Sequence, residues 1–139
     1  MSIVLDTNVL SEITKPSPDL GVLQFVADHS PELMVTTVTM FEIAFGIETM
    51  PGGRRRRQIE DLFDVFLHEL GDARLLPLTV TAARRSGQVR AVRRKQGRPI
   101  DVADAQIAGI ALDHGHSVAT RNVSDFDGIG LPLINPWKN

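Results

Sequence analysis

Apolar positions along the chain follow two periods, one of strands and one of helices. Ile3-Val4-Leu5 is a short β-branched run closed by Asp6 and Thr7-Asn8, the pattern of a fully buried parallel strand. Its early position predicts a central strand from which the fold winds outward. Residues 33–36, 74–78, 117–120 and 132–134 read as further short strands. Between them lie helical patterns. Residues 7–15 form a short helix ended before Pro16-Ser17-Pro18, and residues 19–29 carry a stripe at Leu20, Leu23, Val26 and Ala27. Residues 37–50 stop at Pro51-Gly52-Gly53. Residues 54–70 place Ile59, Leu62, Phe63, Phe66 and Leu70 on one face and end at Gly71. Residues 79–96 form a basic helix closed by Gly97, and residues 101–114 an Ala-rich helix capped by Gly115. Strands separated by helical segments predict an α/β fold, a three-layer α/β/α domain around a parallel sheet of four to five strands.

Composition narrows the class. A chain of 139 residues, 42% hydrophobic, is expected to be one domain spanning residues 1–139 with a single core. No apolar run approaches the roughly 18 residues of a membrane span, and no charged-then-apolar leader opens the chain, so a cytoplasmic protein without a membrane partner is expected. The absence of cysteine excludes disulfides and thiolate metal sites. The net charge of −2 hides a separation: residues 54–98 hold 12 of the 15 Lys and Arg but only 5 of the 17 Asp and Glu. An acidic site beside a basic segment suits a metal-dependent enzyme acting on a polyanion.

Four acids fall at comparable places. Asp6 ends the first strand, where open α/β sheets bind ligands, although taken alone it reads first as the cap of the helix that follows, the commoner role for such an acid. Glu42 lies in Val38-Thr39-Met40-Phe41-Glu42-Ile43-Ala44-Phe45-Gly46-Ile47, apolar around most of its circumference, which predicts burial. An unpaired carboxylate there would cost several kcal/mol unless a metal or a basic partner met it. The alternative is a Glu at the helix rim, half-exposed and paired with an arginine. Asp101 is an N-cap by position. Asp104 is short for a capping box and shares its face with Ala108 and Ala111. The fourth strand runs into Arg121-Asn122-Val123-Ser124-Asp125-Phe126, again polar and acidic at a carboxyl end.

Asp6-Thr7-Asn8, Thr37-Val38-Thr39-Met40-Phe41-Glu42-Ile43, Asp104-Ala105-Gln106-Ile107-Ala108 and Ala119-Thr120-Arg121-Asn122-Val123-Ser124-Asp125-Phe126 resemble, in order and spacing, the four acidic motifs of PIN-domain nucleases. Asn135-Pro136-Trp137 resembles the ending of the FitB-like branch of VapC toxins. The resemblance implies a PIN-like fold, Mg²⁺-dependent ribonuclease activity with Mn²⁺ able to substitute, a cognate antitoxin and a homodimer. It assigns Asp6, Glu42 and Asp104 to the three core acids, with Asp6 and Asp104 as metal ligands. Some relatives carry an aspartate where Asn122 stands. Asp125 is therefore expected to supply the fourth carboxylate, with Asn122 as a neutral ligand. Thr7, Asn8 and Thr120 are supporting groups.

The residue types suit that chemistry, because Mg²⁺ takes oxygen ligands from a few carboxylates and several waters. His29, His68, His114 and His116 lie outside the acidic motifs, which argues against a histidine-based mechanism. Arg54 to Arg57 and the helix carrying Arg84, Arg85, Arg90, Arg93, Arg94 and Lys95 are either solvated faces or an RNA track; Arg90, Arg93 and Arg94 are the phosphate-contact candidates. Few aromatics and no tyrosine argue for backbone or shape readout. Two other classes remain open: a non-catalytic α/β interaction module, and an aspartate-based phosphotransfer or phosphatase domain. Against the latter, Asn8 stands where a second aspartate would be needed, and no GxGxxG or Walker-type loop is present.

Overall fold

β1 (Ile3–Leu5), β2 (Leu33–Thr36), β3 (Leu75–Leu76), β4 (Ser117–Ala119) and β5 (Leu133–Ile134) form one sheet in the order β3-β2-β1-β4-β5, with every pairing parallel. These elements come from a computed structural model that describes residues 2–137. β1 is the central strand, with Val4 beside Met34 on one side and Val118 on the other. Six helices connect the strands: α1 (Thr7–Ile13), α2 (Leu20–Asp28), α3 (Thr37–Glu48), α4 (Arg54–Leu70), α5 (Val80–Lys95) and α6 (Val102–His114).

Alternation along β1 builds two cores. Val4 packs with Val118, Ile107, Ile110 and Phe126 under α5 and α6. Ile3 and Leu5 face the opposite layer, with Val9, Leu10, Val22, Phe25 and Phe63 from α1, α2 and α4. A strand covered on both faces needs apolar residues at every position, which is why Ile3-Val4-Leu5 carries no alternation. The two core helices on the first side approach closely. A methyl at Gly109 of α6 would stand 2.1 Å from Ser86 Oγ and 2.7 Å from the Ala82 carbonyl of α5.

Local chemistry sets most element ends. Asp19, Thr36 and Thr79 accept from Val22, Thr39 and Ala82 N–H groups respectively and start α2, α3 and α5. Gly115 ends α6 at φ +72°, a conformation costly for other residues. Three expectations change. Asp101 is the N-cap of α6 by backbone position, but its side chain makes no cap bond. The strand expected over residues 74–78 shrinks to two residues, because Pro77 has no N–H for a ladder and Leu78 N–H donates to Thr37 Oγ1 at 3.2 Å. The stripe on α2 is displaced: Leu20 is 80% exposed and Leu23 also faces solvent, while Val22 and Phe25 enter the core. Among the described residues, no helix is long and apolar enough to cross a membrane.

Candidate active site

The carboxyl edge of the sheet opens into a cleft of about 350 Å³ whose wall includes Asp6, Asn8, Glu42, Asp104 and Asn122. Asp6 leaves β1 in extended conformation and is buried at the base. Its Oδ1 accepts the Thr7 N–H at 2.8 Å, and its Oδ2 accepts the Thr120 hydroxyl at 2.8 Å. The capping and site roles considered for Asp6 are thus compatible, because each oxygen keeps a further lone pair. Thr120 arrives from the end of β4, and its Oγ1 also accepts the Asn122 N–H at 3.1 Å and Asn8 Nδ2 at 3.4 Å.

Glu42 comes from the middle of α3. The Thr7 hydroxyl donates to its Oε1 at 2.6 Å, which spends the only Thr7 proton. The 3.0 Å contact between Thr7 Oγ1 and Thr39 Oγ1 therefore has Thr39 as donor, and a relay runs from Thr39 through Thr7 to Glu42. Among the described residues no arginine pairs with Glu42. Nor is α3 buried all round: Phe41 and Phe45 are 72% and 64% exposed, and Glu42 itself is half-buried.

Asp104 enters from the first turn of α6, half-buried. A helix N-terminus normally favours an anion there by under about 1 kcal/mol. Burial and the charges of Asp6, Asp101, Asp125 and Glu42 outweigh that and lift its pKa from 3.8 to about 7. Burial likewise raises Asp6 above the ordinary aspartate range. The Thr120 and Thr7 hydrogen bonds oppose that rise, and the charges of Glu42 and Asp125 add to it. Asp125 lies on a 3-10 turn, Val123–Asp125, exposed and outside the cleft wall, so only its charge reaches Asp6 and Asp104. Asn122 is the residue of that segment that lines the cleft.

The PIN domain family model matches residues 3–129. The chain belongs to the PIN-domain family. It is 38% identical over 137 residues to the VapC ribonuclease Y4jK of Sinorhizobium fredii, covering 98% of both chains. It is 29% identical to the toxin FitB of Neisseria gonorrhoeae, covering 99% of each. The crystal structure of FitAcB from the same organism superposes with a TM-score of 0.90 at 28% identity, again over 99% of both chains. The parallel α/β sheet of four to five strands expected from the sequence has five, and the arrangement is the PIN fold.

In this PIN domain the cations are placed differently from expectation. Arg93 is 3% exposed. Its Nε donates to the Arg98 carbonyl at 2.7 Å, and its Nη1 to the carbonyls of Asp125 at 2.8 Å and Asp127 at 3.0 Å. Buried, with three of its five N–H groups on backbone carbonyls, this guanidinium is not open to phosphate, so Arg93 is a staple for the Asn122–Asp127 segment instead of an RNA contact. Arg98 reinforces it through the Ser124 carbonyl and the Asp127 carboxylate. Arg90 and Arg94 are exposed, as a phosphate contact requires, and border a groove that shares no wall residue with the acidic cleft.

Sequence reasoning missed five wall residues: Ser11, Glu12, Lys15, Arg121 and Trp137. Three of them had a signal. Counted from Asn8, residues 11 and 12 fall at helical spacings of three and four, so the face of α1 that presents Asn8 presents them too; residue 15, at a spacing of seven in the helix expected over residues 7–15, lies just past the end of α1 and is tied to Glu12. Glu12 is buried; its oxygens accept Lys15 Nζ at 2.8 Å and the Asp19 N–H at 2.9 Å, and these bonds hold its pKa below the usual glutamate value. Thr39 was also missed, and only its tertiary contact with Thr7 reveals it.

Proposed function

We propose that this PIN domain is a divalent-cation-dependent endoribonuclease and the toxin of a toxin–antitoxin pair. The carrying observation is the meeting of Asp6, Glu42 and Asp104 from three separate elements, with no cation paired to any of them among the described residues and with Asp104 pushed to about 7. A protein that gathers anions at one place gains stability when a cation joins them.

The donors fit such an ion in kind. All are oxygens, as Mg²⁺ or Mn²⁺ prefers. Among the described residues no three acidic or histidine side chains form a ready cage, so one or two carboxylates with waters completing the octahedron is the fitting arrangement. Asp6 and Asp104 are the proposed ligands, and Asn122 a neutral one. A bound divalent ion supplies a water of lowered pKa and neutralises charge on the scissile phosphate. The chain's own part is orientation. Thr7 and Thr120 fix both oxygens of Asp6, and the Thr39–Thr7 relay aims Glu42 across the cleft, where it can take a proton from the attacking water. Asp125 contributes negative potential from behind Asn122. The relatives named a VapC ribonuclease and a toxin support RNA as substrate and a cognate antitoxin as partner, and a homodimer is the assembly we propose with them.

The purified protein is expected to cleave RNA with Mg²⁺ or Mn²⁺, to stop with EDTA, and to lose cleavage on Asp104→Asn. Cleavage of equal rate with and without chelator overturns the reading.

A further inference from the structure

An acidic cleft repels the strand it must hold, so a polyanionic substrate needs a cation from the protein as well as any ion at the carboxylates. Among the described residues two cations line this cleft, Lys15 and Arg121. Lys15 is committed to Glu12 at 2.8 Å. Arg121 is exposed, and its guanidinium makes no hydrogen bond or ion pair among the described residues. Glu12 lies within electrostatic reach of it, yet both Glu12 oxygens already hold donors from Lys15 and Asp19.

The guanidinium is nevertheless held in place. Its carbon sits 5.2 Å from the centre of the Trp137 ring. Asn135 ties the two halves together, accepting the Trp137 N–H on Oδ1 at 2.9 Å and donating from Nδ2 to the Arg121 carbonyl at 3.4 Å. The Arg121 N–H reaches back to Asn8 Oδ1 at 3.5 Å, beside Asp6. A stacking contact at an exposed site contributes little to folding. What stacking does well is fix the plane of the guanidinium while leaving its N–H edge open, and that edge matches two oxygens of a phosphodiester.

We propose that Arg121, braced on Trp137 at the mouth of the cleft, binds the phosphate next to the scissile one and so sets where the RNA strand lies across the acids, an inference that rests on the ribonuclease reading above. Lysine cannot replace this arrangement fully, because it is a point charge without the fork or the flat stacking face. Loss of a contact made equally in ground state and transition state raises KM and leaves kcat alone.

The test uses the full chain and a short fluorescein-labelled single-stranded RNA. Binding is followed by anisotropy across a salt series in the cleavage-silent Asp104→Asn background, and cleavage kinetics with Mg²⁺ in the wild-type background. Arg121→Gln is expected to lower the log–log salt slope by about 0.7, the contribution of one phosphate on a single strand, and to raise KM about tenfold with kcat nearly unchanged. Arg121→Lys should restore the slope but only part of the affinity, and Trp137→Leu should weaken binding with the slope retained. Thermal melts should place both Arg121 variants near wild type, while Trp137→Leu, which also trims a side chain packed against the core, should melt lower. An Arg121→Gln protein that keeps the slope and KM while the parent cleaves RNA overturns this subsite alone. A lowered melting temperature with an unchanged slope in Arg121→Gln overturns it too, in favour of a structural role. A parent that neither binds nor cleaves RNA removes the ribonuclease reading itself.

Discussion

Removing the Asp104 charge should stabilise the protein in chelator, by an amount that depends on pH. Its carboxyl titrates near 7 in the folded chain against 3.8 for an ordinary aspartate, because it is half-buried among Asp6, Asp101, Asp125 and Glu42. Each tenfold change in proton affinity is about 1.4 kcal/mol, so full shielding would make the penalty about 4 kcal/mol. Water reaches this group, and screening reduces the figure to about 1–2 kcal/mol. Below about pH 4 the carboxyl is protonated in both folded and unfolded chains and costs nothing. Between about pH 4 and 7 the folded chain holds a proton that the unfolded chain has released, so this group lowers stability as pH rises. Above about pH 7 the full penalty is present. Asp104→Asn lacks this titration. In EDTA at pH 8 it should therefore melt about 3–8 °C above wild type, and the gap should close toward pH 4. Mg²⁺ at roughly 100 times its Kd should raise wild-type stability by about 2.7 kcal/mol and the variant much less. Melts of both proteins at several pH values, with chelator and with Mg²⁺, measure all of this. A variant that melts below wild type at pH 8 in EDTA, or that gains as much from Mg²⁺, would refute the clustered-charge reasoning.

Arg93→Met removes the donor from three backbone carbonyls. With some rehydration of an exposed segment it should cost about 2–4 kcal/mol in a melt while leaving the RNA salt slope unchanged. Arg90→Gln and Arg94→Gln should do the reverse if α5 tracks the strand, each lowering the slope by about 0.7 with no change in melting; a flat slope response assigns that face to solvent. Gly109→Ala presses a methyl into the Ala82 carbonyl and Ser86 of α5, and should cost about 1–3 kcal/mol. Because α6 carries Asp104, kcat should fall as well, and a melt shift without a kcat loss would show that α6 absorbs the strain elsewhere.

Element order was legible where punctuation is strong. Pro16, Gly53, Gly71 and Gly115 stop or flank helices where expected, and the uninterrupted apolar runs at β1 and β4 marked strands covered on both faces. Which face of a helix turns inward was less legible. The stripe expected on residues 20–28 ran through 20, 23, 26 and 27, but 22 and 25 are apolar as well, and packing against Val9 and Leu10 turns these two inward with only Val26 of the expected set beside them. The apolar circumference of α3 misled in the same way, since Phe41 and Phe45 face outward. The acids stood out because carboxylates at strand ends and in apolar helices are unusual. Thr39 and Arg93 did not, since a hydroxyl that relays and a guanidinium that staples backbone look in sequence like any other threonine and any other member of a basic run.

Sheet order also decides when the site can exist. β1 lies between β2 and β4, and Asp6 reaches its proper setting only when Thr120, 114 residues later, donates to Oδ2. A nascent chain that has passed α6 but not β4 still has β1 as an open edge, with Asp6 lacking one of its two anchors and with neither Asn122 nor Arg121 in place. At a synthesis rate of about 5–20 residues per second, most of the chain leaves the ribosome before the cleft can close around a substrate. Until β4 pairs with β1 the acids have no complete setting, and premature termination upstream of β4 yields a fragment that lacks the Thr120 anchor of Asp6.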